Sequence, residues 1–167
     1  QALYSNDYGD ENTAVGYKSL YSNTSGYYNV AIGSMALYSN TEGRRNIAVG
    51  TNALRNNIYG RGNIALGYSA LSSSDSFYNI AIGEYSQFNT TSGYDNIGLG
   101  WETLYSNTTG NSNVAIGRHA LVQNTVGSDN VAVGTFALLN NTTGIYNVAV
   151  GTEALGANQV GNFNTAV

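Results

Sequence analysis

His119 is the only histidine among 167 residues, and the chain has no cysteine. No Asp or Ser recurs beside His119 at a fixed spacing, so a hydrolase triad is not expected and a surface or edge role is. Asp7, Asp10 and Glu11 cluster near the start of the chain. They could offer Ca²⁺ several oxygen ligands, but the Gly- and Asp-rich calcium nonapeptide is missing, so a solvated acidic turn is the simpler expectation. The acidic residues number ten and are scattered. Glu84 and Glu102 would be the best acid–base candidates on an enzymatic β-helix, yet no cleft is expected. Asn-x-Ser/Thr occurs at Asn23, Asn89, Asn107, Asn140 and Asn141. That pattern accepts glycans in a suitable host, although Asn-Thr-x-Gly reads first as a turn. The expectation is a non-enzymatic chain with no cofactor and no metal site.

Aromatic residues carry more information. Of the 14 tyrosines, Tyr4, Tyr21, Tyr38 and Tyr105 share one repeat position with Phe88. A ladder of rings along one edge is expected, because a tyrosine offers an apolar face and a polar tip. Tyr85, Trp101 and Phe136 interrupt otherwise ordinary columns and are the candidate contacts for a glycan or protein receptor. A single Thr column (Thr24, Thr41, Thr91, Thr108, Thr125, Thr142) falls in a turn, whereas ice binding would call for two ranks on a flat strand.

These positions are fixed by one recurring unit. Asn begins it at residues 12, 29, 46, 63, 79, 96, 113, 130, 147 and 164, at intervals of 17 except for 16 between Asn63 and Asn79. A fixed short period marks a repeat array, so residues 1–167 read as one solenoid. The unit is N-x-A-x-G-x-x-A-L-x-x-N-T-x-G-x-x, with Asn at position 1. Positions 2 and 4 are mostly Val, Ile or Leu, the alternation of a short strand with one buried face. Position 3 is Ala, as at Ala31 and Ala48, or Gly98. The alternation predicts that it lies on the opposite face, where small residues suit packing against another rod. Position 5 is always Gly (Gly33, Gly50, Gly117), which predicts a positive φ or a close backbone approach. A second short strand is expected at Ala-Leu (Leu37, Leu54), followed by an Asn-Thr-x-Gly turn in which Gly supplies φ > 0.

The expected fold is therefore all-β: a parallel β-solenoid of about ten 17-residue coils. At about 4.8 Å per coil it would span roughly 45 Å. Stacking would turn Asn29, Asn46, Asn113 and their equivalents into a ladder of bonded amides. The Val/Ile and Leu columns would form a thin core. The short unit from Asn63 to Tyr78 lacks the turn Gly, and Gln87 replaces Leu in the next unit, so residues 71–90 should hold an altered turn or specialised surface. The ends, Gln1-Ala2-Leu3 and Asn164-Thr165-Ala166-Val167, fall in mid-repeat, which reads as a piece of a longer array.

Composition narrows the partners. A net charge of −4 with only six basic residues argues against a nucleic-acid surface. Arg44, Arg45, Arg55 and Arg61 are the only basic residues near one another. No apolar run is long enough for a membrane span, and no signal peptide is visible.

The Asn-Val-Ala-Ile-Gly units, such as Asn29–Gly33 and Asn113–Gly117, resemble the head repeats of trimeric autotransporter adhesins. The Asn12–Gly26 form also resembles repeats of phage tail fibres and large bacterial surface proteins, some of which end in a self-cleaving chaperone domain. The resemblance covers essentially the whole chain. It implies a left-handed parallel β-roll, a homotrimer, and an extracellular place on a bacterial surface or a virion tail. The adhesin repeats are a few residues shorter, so the turn here is enlarged. The expected function is a structural and adhesive rod. A self-assembling filament or matrix protein is the alternative, with ice binding or β-helix catalysis further behind.

Overall fold

The computed structural model describes residues 1–167 and is a β-solenoid. Ten strands, β1 (Thr13–Val15), β2 (Val30–Ile32), β3 (Ile47–Val49), β4 (Ile64–Leu66), β5 (Ile80–Ile82), β6 (Ile97–Leu99), β7 (Val114–Ile116), β8 (Val131–Val133), β9 (Val148–Val150) and β10 (Thr165–Ala166), form one parallel sheet in sequence order. Each residue pairs with its equivalent in the next coil, as in Ala31↔Ala48 and Ala48↔Ala65. There is no helix, hence none able to cross a membrane.

The strands are only part of the stacking. Of 110 backbone–backbone hydrogen bonds, 92 lie outside them. The Ala-Leu segment, expected to be a second strand, is instead a series of turns that still bond along the stack: Leu20 N–H donates to Ala36 O and Leu37 N–H to Ala53 O, both at 3.0 Å. Left-handed residues at positions 7 and 9 break the extended run, for example Met35 (φ 56°) and Leu37 (φ 51°). Position 17 is left-handed too, as at Arg45 (φ 57°) and Asp95 (φ 55°). In all, 28 non-glycine residues hold such angles, and none is Val, Ile, Thr or Pro. This follows from sterics, since a second heavy atom on Cβ is the worst fit to positive φ.

The strand faces are reversed from the expectation. Ala31, Ala48, Ala65, Ala81, Ala115, Ala132 and Ala149 are fully buried, whereas Ile32, Ile47, Ile82 and Ile116 are 37–40% exposed. The position-8 alanines, such as Ala36 and Ala53, are also inside. The reason is space. A 17-residue coil encloses a narrow interior already occupied by the Leu column and by two columns of Asn side chains, all fully buried in the middle coils. Only a methyl group fits opposite them. The core is thus Ala and Leu, and the β-branched residues form an outer stripe.

Two amide ladders run through this interior. In the predicted one, Asn29 Oδ1 accepts from both Asn46 N–H (3.0 Å) and Asn46 Nδ2 (3.2 Å), while Asn46 Nδ2 also donates to Gly60 O at 2.8 Å. The second ladder, at position 12, is not announced by the Asn-Thr-x-Gly turn: Asn40 Nδ2 donates to Asn23 Oδ1 (2.7 Å) and Gly43 O (3.1 Å). The turn glycines are not at positive φ. A Cβ on them would strike the Asn amide of their own turn or the glycine carbonyl of the next coil. Position-5 glycines meet both demands: Gly33 has φ 132°, and a Cβ there would lie 2.6 Å from Gly50 O.

The irregular coils are compensated in part: Ser74 and Thr90 interrupt the second ladder, and Asn57 Oδ1, Gln87 Oε1 and Thr90 Oγ1 are buried without partners. In the short coil, the Asp75 carboxylate accepts the N–H groups of Ile58, Tyr59 and Gly60 at 2.9, 2.6 and 2.9 Å. In other coils a backbone carbonyl does this, as Thr41 O does for Thr24, Ser25 and Gly26. Gln87 is fully buried in the Leu column, and its Nε2 donates to Ile80 O (2.8 Å) and Asn96 O (3.3 Å). Gly98 makes room mainly for the position-8 hydroxyls beside it: a Cβ there would sit 2.7 Å from Ser86 Oγ, 2.8 Å from Thr103 Oγ1 and 3.2 Å from Gln87 Nε2. This polar node divides the apolar core into a cluster from Leu20 to Ala81 and another from Leu104 to Ala149.

Two outcomes follow from this geometry. Replacing exposed Ser112 (φ 55°) with Gly, the residue already present at the equivalent Gly62, should raise stability by about 0.5–1 kcal/mol, while Ser112→Val should lower it by at least as much. Asn113→Ala strips hydrogen bonds from Asn96 Oδ1, Gly127 O and Asn130. With buried polar atoms left unpaired, it should cost about 2–4 kcal/mol in a chemical melt.

Candidate functional site

The Gly bend at position 5 turns the chain outward, so positions 6, 7 and 10 line one long edge of the solenoid. Stacking of coils brings equivalent side chains into register there. Near the N-terminal end, Tyr4, Tyr21 and Tyr38 form the expected ring ladder, with centroids 5.0 and 5.5 Å apart and planes within 12° of parallel. Lys18 lies over Tyr21 and Tyr38 at 5.3 and 5.8 Å. The Thr column bonds along the stack, for example Thr24 Oγ1 to Thr41 O at 3.1 Å.

Further along the same edge stand two aromatic groups. In the first, Tyr85 meets Tyr68 and Phe88 edge-on at 5.3 and 5.5 Å, while Phe88 stacks on Tyr105 at 5.4 Å. Partial burial, then the neighbouring Tyr68, Glu84 and Tyr105, hold the Tyr85 phenol above the ordinary value of 10.0. In the second, Trp101 meets the His119 ring edge-on at 4.8 Å, and His119 lies 5.4 Å from Phe136. The Arg118 guanidinium is held between Trp101 (4.8 Å) and Phe136 (5.6 Å). Phe136 also forms one wall of an open groove of about 510 Å³, completed by Leu139, Asn140, Glu153, Gly156 and Ala157. Gly156 takes the position that Tyr21, Tyr38, Phe88 and Tyr105 fill in four other coils, and has no side chain to close the groove.

Of the three candidate contacts, Trp101 and Phe136 therefore converge through Arg118 and His119, whereas Tyr85 belongs to the separate tyrosine group. Sequence reasoning missed the parts between them. No Asp or Ser stands beside His119, as expected, but Glu102 occupies the same column one coil earlier, with its Oε2 3.7 Å from His119 Nε2. That distance is too long for a hydrogen bond, and His119 Nε2 is buried without a partner. The columns held the signal: Arg118 is the only cation at position 6, one coil beyond Trp101 and one before Phe136. Asp7, Asp10 and Glu11 do not converge, and no group of three metal-ligating side chains forms.

The fold defines the chain as a β-solenoid repeat protein. Neither a protein-family model, nor a curated protein, nor a solved structure matches it.

A raised phenol pKa means that the folded chain binds the Tyr85 proton more tightly than the unfolded chain does. Its stabilising contribution is then fully present below about pH 10 and lost as pH rises through the higher folded value. Phenolate absorbance should show Tyr85 titrating later than the exposed tyrosines, and Tyr85→Phe should remove that late step and part of the alkaline destabilisation.

Proposed function

We propose that this chain is a non-catalytic rod segment of an extracellular surface adhesin or tail fibre, and that it self-associates, as a homotrimer, through its outer stripe of β-branched residues. The observation that carries the reading is this stripe. Val15, Ile32, Ile47, Ile82, Ile116 and Val150 are 37–57% exposed. They stand on one face of the strands in consecutive or alternate coils, with no charged residue at position 2 or 4 of any coil. Contiguous exposed apolar surface of this kind is characteristic of interaction faces. The resemblance of the Asn-Val-Ala-Ile-Gly units to adhesin heads and tail-fibre repeats supplies the three-fold symmetry and the extracellular setting. The self-association surface is thus the Val/Ile stripe, not the Ala columns, which are inside.

Sedimentation at micromolar concentration should give three times 17.6 kDa. The double variant Ile82→Asp with Ile116→Asp should shift the mass to that of a single chain while keeping the β-rich circular dichroism. A wild-type monomer would overturn the assembly claim. Large open-ended species would replace it with the filament reading.

A further inference from the structure

No Lys or Arg of the chain pairs with a carboxylate, and Arg118 is the one arginine that lies over two rings. The rings of Trp101 and Phe136, 4.8 and 5.6 Å away, hold its flat guanidinium between them. Cation–π contact of this kind leaves the guanidinium N–H groups free to donate. A rigid planar fork with unused donors is suited to a carboxylate, which it binds by two parallel hydrogen bonds.

The groove beside it supplies the rest. Phe136 is shared: Arg118 lies on one side of it, and the open groove of about 510 Å³ on the other. Phe136 and Leu139 give that groove an apolar wall, while Asn140 and Glu153 add an amide and a carboxylate. An apolar ring wall beside a few polar acceptors and donors fits a pyranose, whose C–H face packs on an aromatic ring while its hydroxyls take hydrogen bonds. Arg118 and Glu153 stand two coils apart, about 10 Å at roughly 4.8 Å per coil. That span suits a sugar ring with its substituents: the carboxylate at the Arg118 end and hydroxyl donors at the Glu153 end. Glu153 also disfavours a ligand with a second negative charge at that end.

We infer that the edge formed by Trp101, Arg118, Phe136, Asn140 and Glu153 is a binding site for a carboxylated pyranose, a sialic or uronic acid residue of a surface glycan. This deepens the attachment reading by naming the ligand class and the coils that take it.

Trp101 is the only tryptophan, so its emission reports directly on the site. The folded wild-type chain is titrated with the methyl glycosides of N-acetylneuraminic acid and glucuronic acid. Methyl glucoside, acetate and a short acidic peptide serve as comparisons, and calorimetry runs in parallel. At least one acidic glycoside should perturb the emission and bind about tenfold or more tightly than methyl glucoside. Arg118→Gln should abolish that preference. Arg118→Lys, which keeps charge and stem but loses the fork, should reduce it severalfold and carries the test if the Gln variant does not fold. Arg55→Gln, outside the site, should leave binding unchanged. Absence of binding by both acidic glycosides overturns the site, as does equal binding of methyl glucoside, or of acetate or the peptide. The mass of the same samples separates the two readings: a trimer that binds no acidic sugar overturns only the site, and a monomer that binds one overturns only the assembly.

Discussion

The structure depends on what one carboxamide can do inside a narrow tube. Asn carries a donor and an acceptor in fixed geometry without a charge. In the leading ladder Oδ1 accepts from the backbone and side chain of the next coil's Asn, and Nδ2 reaches the previous Oδ1 and a turn carbonyl, except that Asn79 Nδ2 turns to Ser76 Oγ in place of Asn63 Oδ1. An aspartate would lack the donor and bring a charge into the interior, and a leucine would leave the turn carbonyl without a partner. Because buried polar groups left unpaired each cost about 1–3 kcal/mol, the ladder sets register as firmly as the sheet does. It also explains why the apolar core can be so thin.

With the interior lined by amides, alanine methyls and a single Leu column, little room remains. That constraint accounts for the placement of the strands, for the left-handed residues that fold the rest of the coil tightly back, and for the β-branched stripe on the outside. The strain of three left-handed residues per coil is offset by hydrogen bonds those same residues make to neighbouring coils, such as Met35 N–H to Tyr17 O at 2.8 Å and Leu37 N–H to Ala53 O at 3.0 Å.

The period, the leading Asn ladder and the Gly column were legible because each repeats and has one physical reading. Inside and outside were not. Alternation of Ile32, Ala31 and Val30 announces two faces but not which one is enclosed; the usual preference for burying the larger side chain gave the wrong answer here. The enclosed cross-section decides, and that depends on Leu37 and Asn40, residues outside the strand whose inward course the alternation does not report. The expected second strand failed for a related reason. Leu37 and Met35 are compatible with extended and left-handed backbone alike, and only the absence of Val, Ile and Thr from positions 7, 9 and 17 hinted at the latter. At the edge, Trp101 and Phe136 stood out as breaks in their columns. Arg118 did not, because an exposed cation draws no notice until the rings on adjacent coils close around it.

A perfectly periodic array has a hazard of its own: a folding coil could dock one step out of place and find nearly every contact waiting. The irregular middle of this chain removes that degeneracy. The 16-residue spacing from Asn63 to Asn79 occurs in one coil alone, and Gly98 leaves out the methyl group that would crowd Ser86, Thr103 and Gln87. A slip by one coil would set an alanine methyl against those side chains. The two departures from the repeat therefore act as an address in the sequence, giving an otherwise translation-invariant stack one correct alignment.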